Sequence, residues 1–400
     1  MRRLMVLLLC SIVICFNQSQ AGTLPRPTGE YHVGVTYLGC TDNNRMELFD
    51  NNQESNREIT VKAWYPSDTS ADPEQYFLDT ELEIATKYFQ FPEIYASLKT
   101  NAGRDVPIST KKERYPVLIF SHGFGEHYSQ NSILMEELAS HGYVVFSVSH
   151  HYECKFSSFP DGRLVYIDMN SKRFQEIMLE QRNPKAMELL RRTHDAKSDE
   201  ERMKALMETS HTLPTILTES PKYWAEDIVF FIDRLEDATG VNKLFQGKLD
   251  MDRIGVFGMS LGGLATSEIC ATDKRVKAGV SLDGGLYGDL MERELEMPFM
   301  YMNSKRFLGY GKIFTDRSKT DCYSLGVRDS DHYNFTDYSI YPVPAVGFLL
   351  GEIDGKRTIE MMNVMVLAFF EKYLNDRSKI DLIELAEKYP EIEITTNLGK

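Results

Sequence analysis

The stretch "GVFGMSLGG", residues 255–263, constrains this chain more than any other. It closes an apolar run, "RIGVFGM" at 253–259, and opens a helix-like one, "GLATSEICATD", which puts Ser260 on a strand-to-helix turn within Gly258-Met259-Ser260-Leu261-Gly262. Side chains at the two flanking glycines would collide with the backbone that so sharp a turn brings together, and the turn lifts a serine hydroxyl clear of the sheet edge. A purely structural turn is the alternative reading, and what the rest of the chain supplies decides between them.

Strand and helix signals alternate around that turn. "VLIFSHG" at 117–123, "YVVFSVS" at 143–149, "KAGVSLD" at 277–283 and "PFMYMNS" at 298–304 are apolar runs without polar alternation, as buried parallel strands are. "SILMEELASHGY" and "SPKYWAEDIVFFIDRLEDATG" have helical spacing, the second opening on Ser-Pro and closing at Gly240. Strand then helix, repeated, predicts an α/β fold with a mostly parallel, doubly wound sheet. Residues 152–215 break the rhythm with Lys, Arg, Glu and Met and little strand character, and read as a helical insertion before the nucleophile unit, either solvated or a cap beside the site.

A serine hydroxyl needs a histidine to take its proton and a carboxylate to orient that histidine. In the chain order this turn implies, Ser then Asp or Glu then His, the base is His332, since none of the other eight histidines follows Ser260. Asp283 ends a strand at the same sheet edge, with Gly284-Gly285 letting the chain turn away, and is the first choice of acid; Asp316 and Asp321, one strand later, are the fallback. Asp329 and Asp331 flank the histidine too closely to face its ring nitrogen. The developing oxyanion needs backbone N–H donors from the residue after the nucleophile and from an earlier strand end. Leu261 and Phe124, the latter in the glycine-rich "FSHGFG" at 120–125, are the candidates, and His122 reads as a hydrogen-bonded structural residue.

Arg2 and Arg3, the apolar Leu4 to Phe16, and Ser19-Gln20-Ala21 have the layout of a secretory signal. Residues 1–21 are therefore expected to be removed and 22–400 to form a single soluble domain, secreted or periplasmic. The apolar run is short for a membrane span of about 20 residues, and an uncleaved anchor is the other reading. With 45 Lys and Arg against 59 Asp and Glu, the net charge of −14 argues against nucleic acid or a strongly anionic membrane as the main partner and for a neutral or zwitterionic one. Cys40, Cys154, Cys270 and Cys322 lie far apart without C-x-x-C spacing, so they allow disulfides but argue against a zinc site, and no metal or cofactor is called for.

Taken together, "SHGFG", "GMSLGG", "SLD" and "HYNFTD" at 332–337, with their intervals, make residues 30–375 resemble the platelet-activating factor acetylhydrolase family, plasma and intracellular type II, of the α/β-hydrolase superfamily. The resemblance implies calcium-independent hydrolysis of acetyl or short, often oxidised, sn-2 acyl groups of glycerophospholipids through an acyl-serine intermediate. Ser260, Asp283 and His332 match as triad, with Phe124 and Leu261 as oxyanion donors. Met259 stands where vertebrate members tend to have histidine, and Gly284-Gly285 replaces bulkier residues, which bears on the acyl length accepted. A broad carboxylesterase or polyester hydrolase is the runner-up enzyme, and a non-catalytic hydrolase-fold binding protein the alternative from another class. "YFQFPEIYASL" at 88–98 and "YSIYPVPAVGFLL" at 338–350 are dense enough in apolar residues to be core or to touch a lipid surface. Asn334-Phe335-Thr336 fits a glycosylation pattern, but inside the histidine motif it is expected to stay unmodified.

Overall fold

In the computed structural model, residues 22–398 are described apart from 51–53, 211–214, 238–241, 286, 288–289, 291–292, 305–314 and 317. The expected signal at 1–21 and the expected helix stop at Gly240 lie outside the described residues.

The strands are β1 (His32–Met46), β2 (Asn56–Ser67), β3 (Pro73–Gln75), β4 (Lys99–Arg104), β5 (Tyr115–Ser121), β6 (Val144–Ser149), the hairpin β7 (Phe156–Ser158) and β8 (Leu164–Tyr166), then β9 (Leu249–Met259), β10 (Val276–Leu282), β11 (Phe299–Ser304), β12 (Cys322–Val327) and β13 (Ile392–Thr396). All but the hairpin form one sheet of order β13-β12-β11-β10-β9-β5-β6-β2-β1-β4-β3. From β12 to β6 every neighbouring pair is parallel; β13 at one side and β2 at the other run antiparallel. The parallel part is the sheet expected from the apolar runs. The order reverses between β5 and β9, so the loops leaving those two strands open side by side, the place where open α/β sheets form their crevice.

Each central strand sends alternate side chains to opposite layers. Leu118 and Phe120 of β5, Phe257 and Met259 of β9, and Val280 and Leu282 of β10 pack with Ile133 and Leu138 and with Met362, Met365 and Phe369. Those partners belong to helix α2 (Ser132–Ser140) and the long helix Gly355–Leu374. Val117 and Ile119, Ile254 and Val256, and Phe299 and Tyr301 face the other way, onto Ile228, Phe231 and Ile232 of α7 (Ser220–Glu236). Both faces are covered, which is why the strand sequences lack polar alternation.

The insertion is mixed. It opens with the β7–β8 hairpin and continues as α3 (Lys172–Gln181), α4 (Pro184–Asp195) and α5 (Asp199–Ser210), with α6 (Thr215–Thr218) at its end. Phe174 and Ile177 of α3 and Ile216 of α6 bury against Leu261, Ala265 and Trp224, while α4 and α5 lie on each other and carry exposed ion pairs such as Arg191 with Glu188 and Asp195. The part with α3 and α6 therefore covers the turn after β9, while α4 and α5 expose charged faces and α5 sets Met203 and Met207 against the core on the α7 side of the sheet. The four cysteines are buried free thiols.

Candidate active site

Ser260 joins β9 to α8 (Leu261–Thr272) with φ 57° and ψ −119°, a conformation that costs a non-glycine residue on the order of 1–3 kcal/mol. Its neighbours make room for that turn. A Cβ on Gly258 would lie 2.2 Å from the Gly262 carbonyl oxygen, and one on Gly262 would lie 2.0 Å from the carbonyl oxygen of Ser121 at the end of β5. The glycines thus let strand, turn and the neighbouring strand end meet at backbone contact. Gly262→Ala is expected to cost at least about 1–3 kcal/mol in urea unfolding, because the Ser121 carbonyl is backbone and has nowhere to go; a fully stable, fully active variant would refute that reason.

The later residues converge on the same edge. Ser260 N–H donates to the Leu282 carbonyl at 2.9 Å and Asp283 N–H to that of Met302 at 2.8 Å, so the ends of β9, β10 and β11 are stepped together. Ser260 Oγ lies 3.0 Å from His332 Nε2, and His332 Nδ1 lies 2.6 Å from Asp283 Oδ2. Asp283 is buried, and its other oxygen accepts the Ser304 N–H at 2.6 Å. These contacts give each group one role in hydrogen bonding: hydroxyl to Nε2, Nδ1–H to carboxylate. The fallback acids lie elsewhere: Asp321 accepts the Tyr373 hydroxyl at 2.6 Å and Asp316 is exposed. Asp331 turns its carboxylate to the His332 backbone N–H at 2.7 Å, away from the ring.

The loop after β5 faces the serine. Gly123 N–H is held by Gln130 Oε1 at 2.8 Å and Gly125 N–H by the Glu153 carbonyl at 2.8 Å. The Phe124 amide between them, like that of Leu261 at the first turn of α8, has no protein acceptor among the described residues. A Cβ built on Gly123 would lie 3.5 Å from the Ser260 Cβ, which fixes the loop against the turn. Phe124 also joins the apolar cluster of Leu261, Phe174 and Ile216, so the covering half of the insertion packs on both candidate donors.

Several residues here were not foreseen. Glu126 accepts the hydroxyls of Tyr333 at 2.8 Å and Tyr338 at 2.6 Å and pairs with Lys155 at 2.5 Å, tying the loop after β5 to the segment that carries His332. Asp337, the last residue of "HYNFTD", is wholly buried and accepts the Ser132 and Ile133 N–H groups at the start of α2, at 2.8 and 3.3 Å, with the Tyr76 hydroxyl at 2.9 Å. A carboxylate there meets free amides and the positive end of the helix. The motif spacing hinted at Asp337; nothing local pointed to Glu126. Asn334 is buried, its oxygen accepting the Asp331 and Gly351 N–H groups at 2.8 and 2.7 Å and its NH₂, the group a glycan would occupy, donating to Ser339 Oγ at 3.3 Å.

A sheet that reverses beside a serine turn, with aspartate and histidine following in that order from later strand ends, defines an α/β-hydrolase. Comparison with known proteins narrows this. The family described as "Platelet-activating factor acetylhydrolase, isoform II" matches residues 16–388, and the chain belongs to it. It is 27% identical over 380 residues to the platelet-activating factor acetylhydrolase of Bos taurus, covering 90% of this chain and 79% of that one. It is 20% identical over 434 residues to a probable 1-alkyl-2-acetylglycerophosphocholine esterase of Arthroderma benhamiae, covering 96% and 97%. Among solved structures, a ferulic acid esterase from Streptomyces cinnamoneus superposes with a TM-score of 0.72 at 22% identity, over 94% of this chain and all of that one, which shows the shared fold. The chain is a carboxylic ester hydrolase.

Proposed function

We propose that this chain is a secreted serine hydrolase that removes acetyl or short, oxidised sn-2 acyl groups from glycerophospholipids. The observation that carries this is the continuous line Ser260, His332, Asp283 at 3.0 and 2.6 Å, in a chain matched to the acetylhydrolase family over 16–388. His332 Nε2 takes the Ser260 proton as Oγ attacks the ester carbonyl; Asp283 stabilises the imidazolium; the Phe124 and Leu261 amides meet the charge on the carbonyl oxygen. His332 then returns the proton to the leaving glycerol oxygen. Water, activated by the same imidazole, releases the acid and restores the serine.

Fluorophosphonate labelling tests the nucleophile: an adduct on Ser260 of folded protein is expected, and its absence would favour a binding module. A hydrolysis screen tests the substrate. Acetyl and oxidised short-chain phosphatidylcholines are expected to exceed long-chain ones in kcat/KM; indifference to the phospholipid, with simple nitrophenyl esters cleaved best, would point to a general carboxylesterase.

Lipid contact is part of the proposal. Of the two apolar stretches, 88–98 buries Phe91, Tyr95 and Leu98, leaves Phe89 and Ile94 half-buried and exposes Tyr88. The other divides: Tyr338 and Val343 are buried, whereas the 3-10 turn Pro344–Leu349 buries none of its residues and leaves Phe348 77% exposed. That turn follows the histidine segment and suits a shallow lipid anchor. Among the described residues no helix is long and apolar enough to cross a membrane.

In this mechanism backbone amides fill the role that a bound calcium ion plays in many secreted phospholipases, so activity in EDTA is expected to equal activity with added calcium. A loss of more than about tenfold on chelation, about 1.4 kcal/mol of barrier, restored by calcium without a change in folding, would contradict it.

A further inference from the structure

Behind the loop that carries Phe124 lies a second serine, histidine and aspartate in line. Ser121 Oγ, at the end of β5, lies 2.8 Å from His150 Nε2, and His150 Nδ1 lies 2.8 Å from Asp227 Oδ2 in α7. All three are wholly buried, so no substrate reaches them. Asp227 is clamped by Arg57 on both oxygens, at 3.1 and 2.6 Å, and by Arg45 at 2.8 Å. Burial alone would raise its carboxyl group, but the Arg57 charge and the hydrogen bonds outweigh that and hold it far below the ordinary carboxylate range. The carboxylate therefore keeps the His150 proton on Nδ1, and the ring is further fixed by a stacked Trp224 at 4.2 Å.

This seated residue presents its backbone N–H to His122 Nε2 at 3.0 Å. With Nε2 occupied as an acceptor, the His122 proton is on Nδ1, from which it donates to the Gly123 carbonyl at 2.7 Å. Burial, with His150 beside it, pushes the His122 pKa well down and keeps the ring neutral. The Gly123 carbonyl, which also accepts the Glu126 N–H at 3.0 Å, is one end of a peptide unit whose other end is the Phe124 N–H. A hydrogen bond on that oxygen resists rotation of the unit and polarises its N–H, since linked hydrogen bonds strengthen one another.

We propose that His122, seated by the buried Ser121–His150–Asp227 line, is a positioning residue that aims and polarises the Phe124 amide toward the oxyanion. The proposal rests on the hydrolytic reading above. It separates this loop from a merely packed turn, because the effect must appear in the transition state and not in substrate binding.

The test uses the full chain, with His122→Phe and His122→Asn. Asparagine places an amide N–H near the Nδ1 position; phenylalanine fills the space without a donor. Loss of one oxyanion donor outright costs about a hundredfold or more in kcat; His122→Phe keeps the Phe124 N–H and the Glu126 bond to the Gly123 carbonyl, so it is expected to lose about tenfold or somewhat more in kcat, short of that full loss, with KM nearly unchanged. Its affinity for a trifluoromethyl ketone, which forms a tetrahedral oxyanion on the serine, should weaken by the same factor. His122→Asn should recover to within about threefold of the parent. Retained kcat in His122→Phe, or a lost kcat with an unweakened ketone, would overturn the proposal. If His122→Phe does not fold, nitrogen-15 correlation spectra of the unaltered protein decide, because His122 must carry its proton on Nδ1; a proton on Nε2 overturns it. Wild-type protein that fails to label at Ser260 would instead sink the hydrolytic reading.

Discussion

Replacing Ser260 by alanine is expected to lower kcat on the order of a millionfold, His332→Ala to do nearly the same, and the double variant to be scarcely worse. In the proposed mechanism the 3.0 Å contact makes the two a single device: the imidazole has nothing to deprotonate without the hydroxyl, and the hydroxyl is inert without the imidazole. The residual rate belongs to the amides of Phe124 and Leu261 and to substrate binding, which together still exceed water by about 10³–10⁴. Single and double variants assayed on one nitrophenyl ester provide the check. Multiplied losses in the double variant would mean that serine and histidine work independently, which this mechanism does not allow.

Asp283→Asn is expected to cost on the order of ten thousandfold in kcat while leaving unfolding unchanged, and the surroundings say why. Oδ1 of Asp283 is held by the Ser304 N–H at 2.6 Å, so an asparagine would keep its carbonyl oxygen there and turn its NH₂ toward His332 Nδ1. That nitrogen would then have to accept, which moves the ring proton to Nε2 and leaves Ser260 with no base. Asp321→Asn and Asp316→Asn should stay within several-fold of the parent, since His332 Nδ1 is taken by Asp283, Asp321 is engaged by the Tyr373 hydroxyl and Asp316 is exposed. A silent Asp283→Asn beside a crippled Asp321→Asn or Asp316→Asn would reassign the acid.

Legibility in the sequence follows how local each feature is. The turn at Ser260 was readable because its steric demand falls on Gly258 and Gly262, two residues either side. Asp283 was readable as a strand end, and His332 by elimination. The five central strands were readable because burial on both faces removes polar alternation. The strands from β1 to β4 were not singled out: β1 is interrupted by Gly34 and Gly39 and ends in the polar "TDNNRM", so its apolar signal is broken. The line behind the oxyanion loop left no trace, since Ser121 and His150 are 29 residues apart, His150 and Asp227 77, and Arg57 and Asp227 170. Nor could the sequence show which part of 152–215 is covered, because α3 and α4 are both polar helices with an apolar stripe and differ only in what lies beneath them.

The bridge at Glu126 has a consequence for how activity appears in time. Its tyrosine partners lie 207 and 212 residues further along the chain, and the carboxylate that caps α2 comes from 205 residues downstream of Ser132. A chain made from its N-terminus folds by local contacts first, and contacts this distant close late. Under the proposed mechanism the loop that meets the oxyanion is thus synthesised long before the segment that braces it and supplies the base, so ester-cleaving activity is expected only once the chain has grown past Tyr338.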